Sequence, residues 1–165
     1  MKVIFLDIDG VLNNDETKSQ FGHGKGWDPI LISRLVKIIK AVPDVGIVMS
    51  STWRVNTHFS TVPFQFAFAT WGIQVPIIGC TPTAYPQNPY KQDKRHVEIS
   101  AWLDAARATG KKVDYIVLDD EKDAGPGHEK FFVNTKKELG LTEADVTKAI
   151  KLLQRVDNES GTDRK

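Results

Sequence analysis

The sequence predicts an α/β fold: a mainly parallel central sheet covered by helices on both faces, built as a single domain over residues 1–156. Three observations carry this reading. Short apolar runs alternate along the chain with segments of helical period. The runs are continuous rather than alternating apolar and polar, as in strands buried on both faces. Three of the four runs end in carboxylates or hydroxyls, and open α/β sheets bind ligands beyond the carboxyl ends of their strands.

Val3 to Leu6 is the first buried-type strand. Asp28-Pro29 then reads as a helix N-cap followed by proline in the first turn, with Ile30, Leu31, Leu35, Ile38, Ile39 and Val42 at helical spacing until Pro43. Gly46 to Met49 is a second strand, stopping at Ser50-Ser51-Thr52. Val75 to Ile78 is a weaker third, closed by Gly79. From Glu98 the period is helical again, with Ile99, Trp102, Leu103 and Ala106 on one face and Gly110 as terminator. Tyr115 to Leu118 is a further strand, ending in Asp119-Asp120. Thr142 opens a last helix with Val146, Ala149, Ile150 and Leu153 inward, and residues 157–165 read as a polar, flexible tail. Trp27, Trp71 and Trp102 read as core aromatics.

Composition narrows the function. Of 165 residues, 41% are hydrophobic and 26% charged, which excludes wholesale disorder. The formal net charge of +1 supplies no global field for nucleic acid or anionic membrane. Cys80 is the single cysteine, so no intrachain disulfide forms and a reducing compartment is expected. Only Val3 to Leu6 separates Lys2 from Asp7, far short of a signal-peptide core, and no apolar run reaches membrane-spanning length. These features point to a cytoplasmic protein without a membrane partner.

The strand ends carry the chemistry. If the strands are parallel neighbours, Asp7-Ile8-Asp9-Gly10, Ser50-Ser51-Thr52 and Asp119-Asp120-Glu121-Lys122-Asp123 converge in one crevice. Asp7 and Asp9, two apart on extended backbone, face the same way, and paired like charges call for a cation or a proton. With Asp119 and Asp120 they form a hard-oxygen set suited to Mg²⁺, without the His/Cys donors of a zinc site. His23, His58, His96 and His128 are scattered without metal-ligand spacing. An Asp carboxylate could then attack phosphorus, a Ser50 hydroxyl could bind a non-bridging oxygen, and a Lys or Arg would offset the remaining charge.

Phe5-Leu6-Asp7-Ile8-Asp9-Gly10-Val11-Leu12-Asn13 resembles the first motif of the haloacid-dehalogenase (HAD) superfamily, most of whose members are Mg²⁺-dependent phosphatases. Val48-Met49-Ser50 is similar to its second motif and Val117-Leu118-Asp119-Asp120-Glu121-Lys122-Asp123 to its acidic fourth. Ser50-Ser51-Thr52-Trp53-Arg54, Gly79-Cys80-Thr81-Pro82, Arg95 through Trp102-Leu103, and Gly140-Leu141-Thr142 further resemble a group of compact HAD domains with relatives in nucleic-acid repair proteins. The resemblance implies a Rossmannoid three-layer sandwich and a phosphatase acting through an aspartyl-phosphate. It implies Asp7 as nucleophile and metal ligand, and Asp9 as acid/base that also gives the metal its main-chain carbonyl. Ser50 would bind phosphate, with Ser51 the fallback, and Asp119 and Asp120 would hold Mg²⁺ directly or through water, with Asp123 in support. For the third-motif cation the resemblance favours Arg95, with Lys94 second and Lys91 a further candidate. Gly10, Ser51, Thr52 and Arg54 complete the expected substrate-binding set.

Asp7 to Ser50 leaves space for a loop and one helix, and Ser51 to Arg95 for a helix, a strand and a Pro-rich loop. A minimal cap or none is therefore expected. Open sites in this superfamily often act on macromolecular phosphates, such as polynucleotide ends or phosphoproteins, and a phosphate-ended oligonucleotide would add contacts along Lys25, Arg54, Lys91, Lys94 and Arg95. Trp53 is the aromatic to test for substrate stacking, and Gly22-His23-Gly24-Lys25-Gly26 reads as a mobile loop over the site. A small-molecule phosphatase, phosphotransfer to an acceptor other than water, and a silent phosphate-binding module are the competing readings.

Overall fold

The computed structural model describes residues 1–17, 26–91 and 94–159, the last four (156–159) by backbone alone. The Gly22–Gly26 loop up to Lys25, with His23, and residues 160–165 of the expected tail lie outside this set. Strands β1 (Lys2–Leu6), β2 (Val45–Met49), β3 (Ile77–Cys80), β4 (Asp114–Asp119) and β5 (Phe132–Asn134) alternate with helices α1 (Pro29–Ala41), α2 (Trp53–Asn56), α3 (Val62–Thr70), α4 (Arg95–Ala108) and α5 (Glu143–Glu159). The last helix runs past Val156. No helix among the described residues is long and apolar enough to cross a membrane.

All five strands are parallel, in the order β3-β2-β1-β4-β5. Leu6 pairs with Met49 on one side and with Leu118 on the other, so the polar residues that follow these three strands emerge side by side. Alternate strand residues feed two cores. Ile4, Leu6, Ile47, Met49, Ile116 and Leu118 pack with Leu35 and Ile38 of α1 and with Val146 and Leu153 of α5. Val3, Phe5, Val48, Tyr115 and Val117 pack with Ile99 and Leu103 of α4. The result is the expected three-layer α/β sandwich.

The caps explain the helix boundaries. Asp28 Oδ1 accepts from the backbone N–H of Ile30 (2.8 Å) and Leu31 (3.4 Å), starting α1 where the sequence places it. Thr142 and Asp145 bond reciprocally ahead of α5, a capping box. Helix α4 begins three residues before Glu98, because its first turn is capped from a distance: Asp123 Oδ2 accepts from the Arg95 N–H at 3.1 Å.

Further expectations shift. β3 runs from Ile77 to Cys80 rather than from Val75 to Ile78, and the register slips between Ile47 and Val48. Gly79 therefore lies within the strand, where a Cβ would come 3.1 Å from the Trp102 indole nitrogen. Glycine there admits the α4 side chain rather than closing the strand. β5 is an addition, since three residues are too short to show a period, and it is held by pairing Val117 with Phe132 and Leu118 with Val133. Trp71, just past the end of α3, is exposed, while Phe64 and Phe68 take the inward face of that helix.

Candidate active site

Asp7 is the first residue past β1, and its N–H still donates to Leu118 O (3.0 Å), which fixes the carboxylate at the centre of the sheet's carboxyl edge. It is buried, and the Ser51 hydroxyl and the Ile8 N–H hydrogen-bond it. One ligand oxygen from each of Asp7, Asp119 and Asp120 lies within 4.8 Å of the others. Arg95, 2% exposed, reaches the same group from α4: its Nη1 stands 3.6 Å from Asp7 Oδ1 and 3.6 Å from Asp119 Oδ2.

Electrostatics follow from this crowding. Burial pushes the Asp7 carboxyl above the usual carboxylate range, against the opposing pull of Arg95 and the Ser51 bond. Burial raises Asp119 further, reinforced by the charge of Asp7 and opposed by Arg95 and the Glu121 N–H. Burial works against the Arg95 charge, but Asp7, Asp119, Glu98 and Asp123 outweigh it and hold the guanidinium firmly protonated. One fixed cation thus faces several carboxylates, an arrangement that a divalent ion would relieve. Asp119 Oδ2 is buried without a hydrogen bond, so it keeps a lone pair for such an ion. The donor set of carboxylate oxygens fits Mg²⁺.

The loops around the site are pinned. A Cβ at Gly10, whose φ is +73°, would fall 2.3 Å from Asp120 Cγ, so only glycine leaves room for that carboxylate. The Gly10 carbonyl accepts from the buried Thr135 hydroxyl (2.7 Å), and its N–H donates to Asn13 Oδ1 (3.1 Å). Asn134 Nδ2 bridges the carbonyls of Asp119 (3.1 Å) and Asp120 (2.9 Å), while the Glu121 N–H donates to Asp119 Oδ1 (2.9 Å). Asp9 is half-buried, with Asn13 Nδ2 on Oδ1 at 2.9 Å and Trp53 Nε1 on Oδ2 at 2.8 Å.

The expected residues thus divide. Asp7, Ser51, Arg95, Asp119 and Asp120 come together, with Asp9 and Gly10 at the rim. The Ser50 hydroxyl is enclosed without a hydrogen-bond partner, whereas the Ser51 hydroxyl is the one that meets Asp7. Thr52 is half-buried at the N-cap of α2 and makes no side-chain cap bond. Lys91 and Lys94 are exposed and both lie over the Tyr85 ring, at 4.3 and 5.1 Å.

Arg54 is not a cation offered to substrate. It is 1% exposed and donates to the carbonyls of Thr81 (3.0 Å), Ser50 (3.2 Å), Ser51 (2.8 Å) and Pro82 (3.2 Å), and to Glu98 Oε2 (2.6 Å). Its guanidinium thereby ties β2, the segment after β3, and α4 together beneath the site. Burial lowers its pKa, countered by Glu98.

Residues that sequence reading did not single out complete the frame. Glu98 lies between Arg54 and Arg95, its Oε2 4.0 Å from Arg95 Nε, while its Oε1 accepts from the Ala84 N–H at 2.9 Å. Its local signals are the three-residue spacing from Arg95 on a helix and its place at the head of Glu-x-x-x-Trp-Leu. Asn134 and Thr135 have none, because β5 is too short to show a strand period.

The family described as the HAD domain in Swiss Army Knife RNA repair proteins matches residues 3–146. No curated protein and no solved structure gives a significant match.

Proposed function

Since the chain belongs to the family of HAD domains in Swiss Army Knife RNA repair proteins, we propose that it is a Mg²⁺-dependent phosphohydrolase working through an aspartyl-phosphate on Asp7, with a phosphorylated nucleic-acid end as its substrate class. The observation that carries this reading is the setting of the Asp7 carboxylate: it stands 3.6 Å from the Arg95 guanidinium, is hydrogen-bonded by the Ser51 hydroxyl, and lies within 4.8 Å of acidic oxygens from Asp119 and Asp120.

A carboxylate held this way can act as nucleophile once a phosphate is bound in front of it. An Asp7 oxygen attacks phosphorus, the bond to the leaving oxygen breaks, and Asp9 gives that oxygen a proton. Asp9 then takes a proton from water, the water oxygen bonds to phosphorus, and the phosphorus–Asp7 bond breaks to release inorganic phosphate and restore the carboxylate. Arg95 and the Ser51 hydroxyl stabilise charge on the non-bridging oxygens. Asp7, Asp119 and Asp120, with the Asp9 main-chain carbonyl, would hold Mg²⁺, which offsets the carboxylate charge and polarises the phosphate.

Among the described residues the segments between β1 and β2 and between β2 and α4 add no strand outside the central sheet, which supports an open site and a large substrate. The test is a panel of 3′- and 5′-phosphorylated oligonucleotides, mononucleotides, sugar phosphates and phosphopeptides with Mg²⁺. Hydrolysis lost in chelator, restored by Mg²⁺ and absent in Asp7→Asn is expected, with an oligonucleotide giving the highest kcat/KM. A sugar phosphate or mononucleotide turned over more efficiently than every oligonucleotide overturns the substrate class. Phosphate binding without any turnover makes the domain a silent module.

A further inference from the structure

Asp9 is gripped at both oxygens by neutral donors. Trp53 Nε1 donates to Oδ2 at 2.8 Å, and Asn13 Nδ2 donates to Oδ1 at 2.9 Å. Both donors are themselves fixed. Asn13 is buried, and its own oxygen accepts from the Gly10 N–H at 3.1 Å. Trp53 opens α2, packs half-buried against the larger core, and directs its backbone N–H to Ser51 Oγ at 3.3 Å. The same Ser51 hydroxyl bonds Asp7, so the segment leaving β2 holds both carboxylates, one through a hydroxyl and one through an indole.

We propose that Trp53 is a positioning residue: its indole N–H fixes the Asp9 carboxylate beside Asp7 so that one orientation of the acid/base meets the leaving oxygen. This rests on the role given to Asp9 above. Chemistry favours positioning over two other uses of this ring. Indole nitrogen donates and never accepts, so it carries no proton to or from Asp9. A ring committed inward by a 2.8 Å bond and packed on the core is also poorly placed to follow a nucleobase as a stacking platform. A rigid donor with two side-chain torsions holds a carboxylate at less entropic cost than a lysine or glutamine would.

Two measurements test this. The first needs no activity: in a ¹H–¹⁵N spectrum of the whole chain, the Trp53 indole resonance, assigned by its loss in Trp53→Phe, should lie downfield and exchange slowly in the wild type. It should move upfield and exchange faster in Asp9→Ala. An indole resonance indifferent to Asp9→Ala overturns the contact and the proposal. The second is kinetic. Trp53→Phe keeps an aromatic ring but removes the N–H, and a hydrogen bond to a charged group corresponds to about 10- to 100-fold in rate, so kcat should fall by about that factor with KM nearly unchanged. In an Asp9→Ala background the same substitution should cost nothing more.

Unchanged kcat with raised KM would make Trp53 a substrate contact and overturn the proposal, as would an additive loss in the Asp9→Ala background. A wild type inactive on every phosphate ester, with the indole still coupled to Asp9, would instead remove the phosphatase reading and with it the catalytic purpose of the clamp. The two failures are thus told apart by whether the wild type turns over.

Discussion

Asp7 and Asp119 are carboxylates that burial holds above their ordinary range, with the charge of Asp9 adding to it at Asp7 and the charge of Asp7 at Asp119. A group raised in this way binds its proton more tightly in the folded state than in the unfolded one. Its contribution to stability is therefore complete below the ordinary carboxylate range and is lost as pH rises through the folded values. Without metal, Tm should fall as pH goes from mildly acidic to neutral. Mg²⁺ should raise Tm most at the neutral end, where it neutralises the ionised pair. Asp119→Asn should flatten the pH dependence and reduce the Mg²⁺ effect. Calorimetry in chelator and in Mg²⁺ across that range checks this, and an equal Mg²⁺ increment at both ends would contradict it. Arg54 offers a second check at this scale. Truncation to alanine leaves Glu98 buried beside Arg95 alone and several carbonyls without donors, a cost of about 3–5 kcal/mol. Arg54→Ala should show chiefly as a lower denaturation midpoint, not as a change in substrate affinity.

The elements show how distant parts hold those residues. Helix α4 starts at Arg95 because Asp123, on the 3₁₀ turn after β4, supplies its cap at 3.1 Å. Asp123→Ala should therefore cost about 1 kcal/mol by loss of a cap and should also lower kcat, since the Arg95 turn loosens. The corresponding change at α1, Asp28→Ala, should cost a similar amount, about 1 kcal/mol, with kcat unaffected. Comparing both variants separates a cap that serves the fold from one that serves the site. Gly10 sits in the left-handed region with Asp120 against it, so Gly10→Ala is strained by its backbone and displaces that carboxylate. Weaker Mg²⁺ binding by calorimetry, beyond any loss of stability, is the expected outcome.

Across the whole molecule, the described surface offers a polymer fewer cations than the sequence promised. Arg54 is internal and Arg95 is committed to the acidic cluster of the site, which leaves Lys91 and Lys94, both over Tyr85, as the described candidates from that set for the rest of a polymer. Removing one cation that meets a phosphate should reduce the dependence of log binding on log salt by about 0.7 to 0.9. Lys91→Ala and Lys94→Ala should each flatten a salt titration with a phosphate-ended oligonucleotide by about that amount, leaving a mononucleotide unaffected. A wild-type slope retained in the double variant would move the polymer track elsewhere.

Local sequence alone specified a parallel sheet between helical layers, three of its strands and the acidic core of the site. Those rest on local features: continuous apolar runs for buried strands, the Asp28-Pro29 cap, and carboxylates and hydroxyls directly after strands whose parallel pairing brings them together. It could name Arg95 ahead of Lys94 only by resemblance, because adjacent cations on one turn differ in direction, and direction depends on what the helix packs against. Only the tertiary structure turned Arg54 from a cation for substrate into an internal strut, since the carbonyls it bonds lie at Thr81 and Pro82 as well as beside it. It likewise moved β3, added β5, put the Ser51 hydroxyl rather than that of Ser50 against Asp7, and gave Trp53 a carboxylate to hold. Each of these depends on partners many residues away, and periodicity and spacing report only on neighbours along the chain.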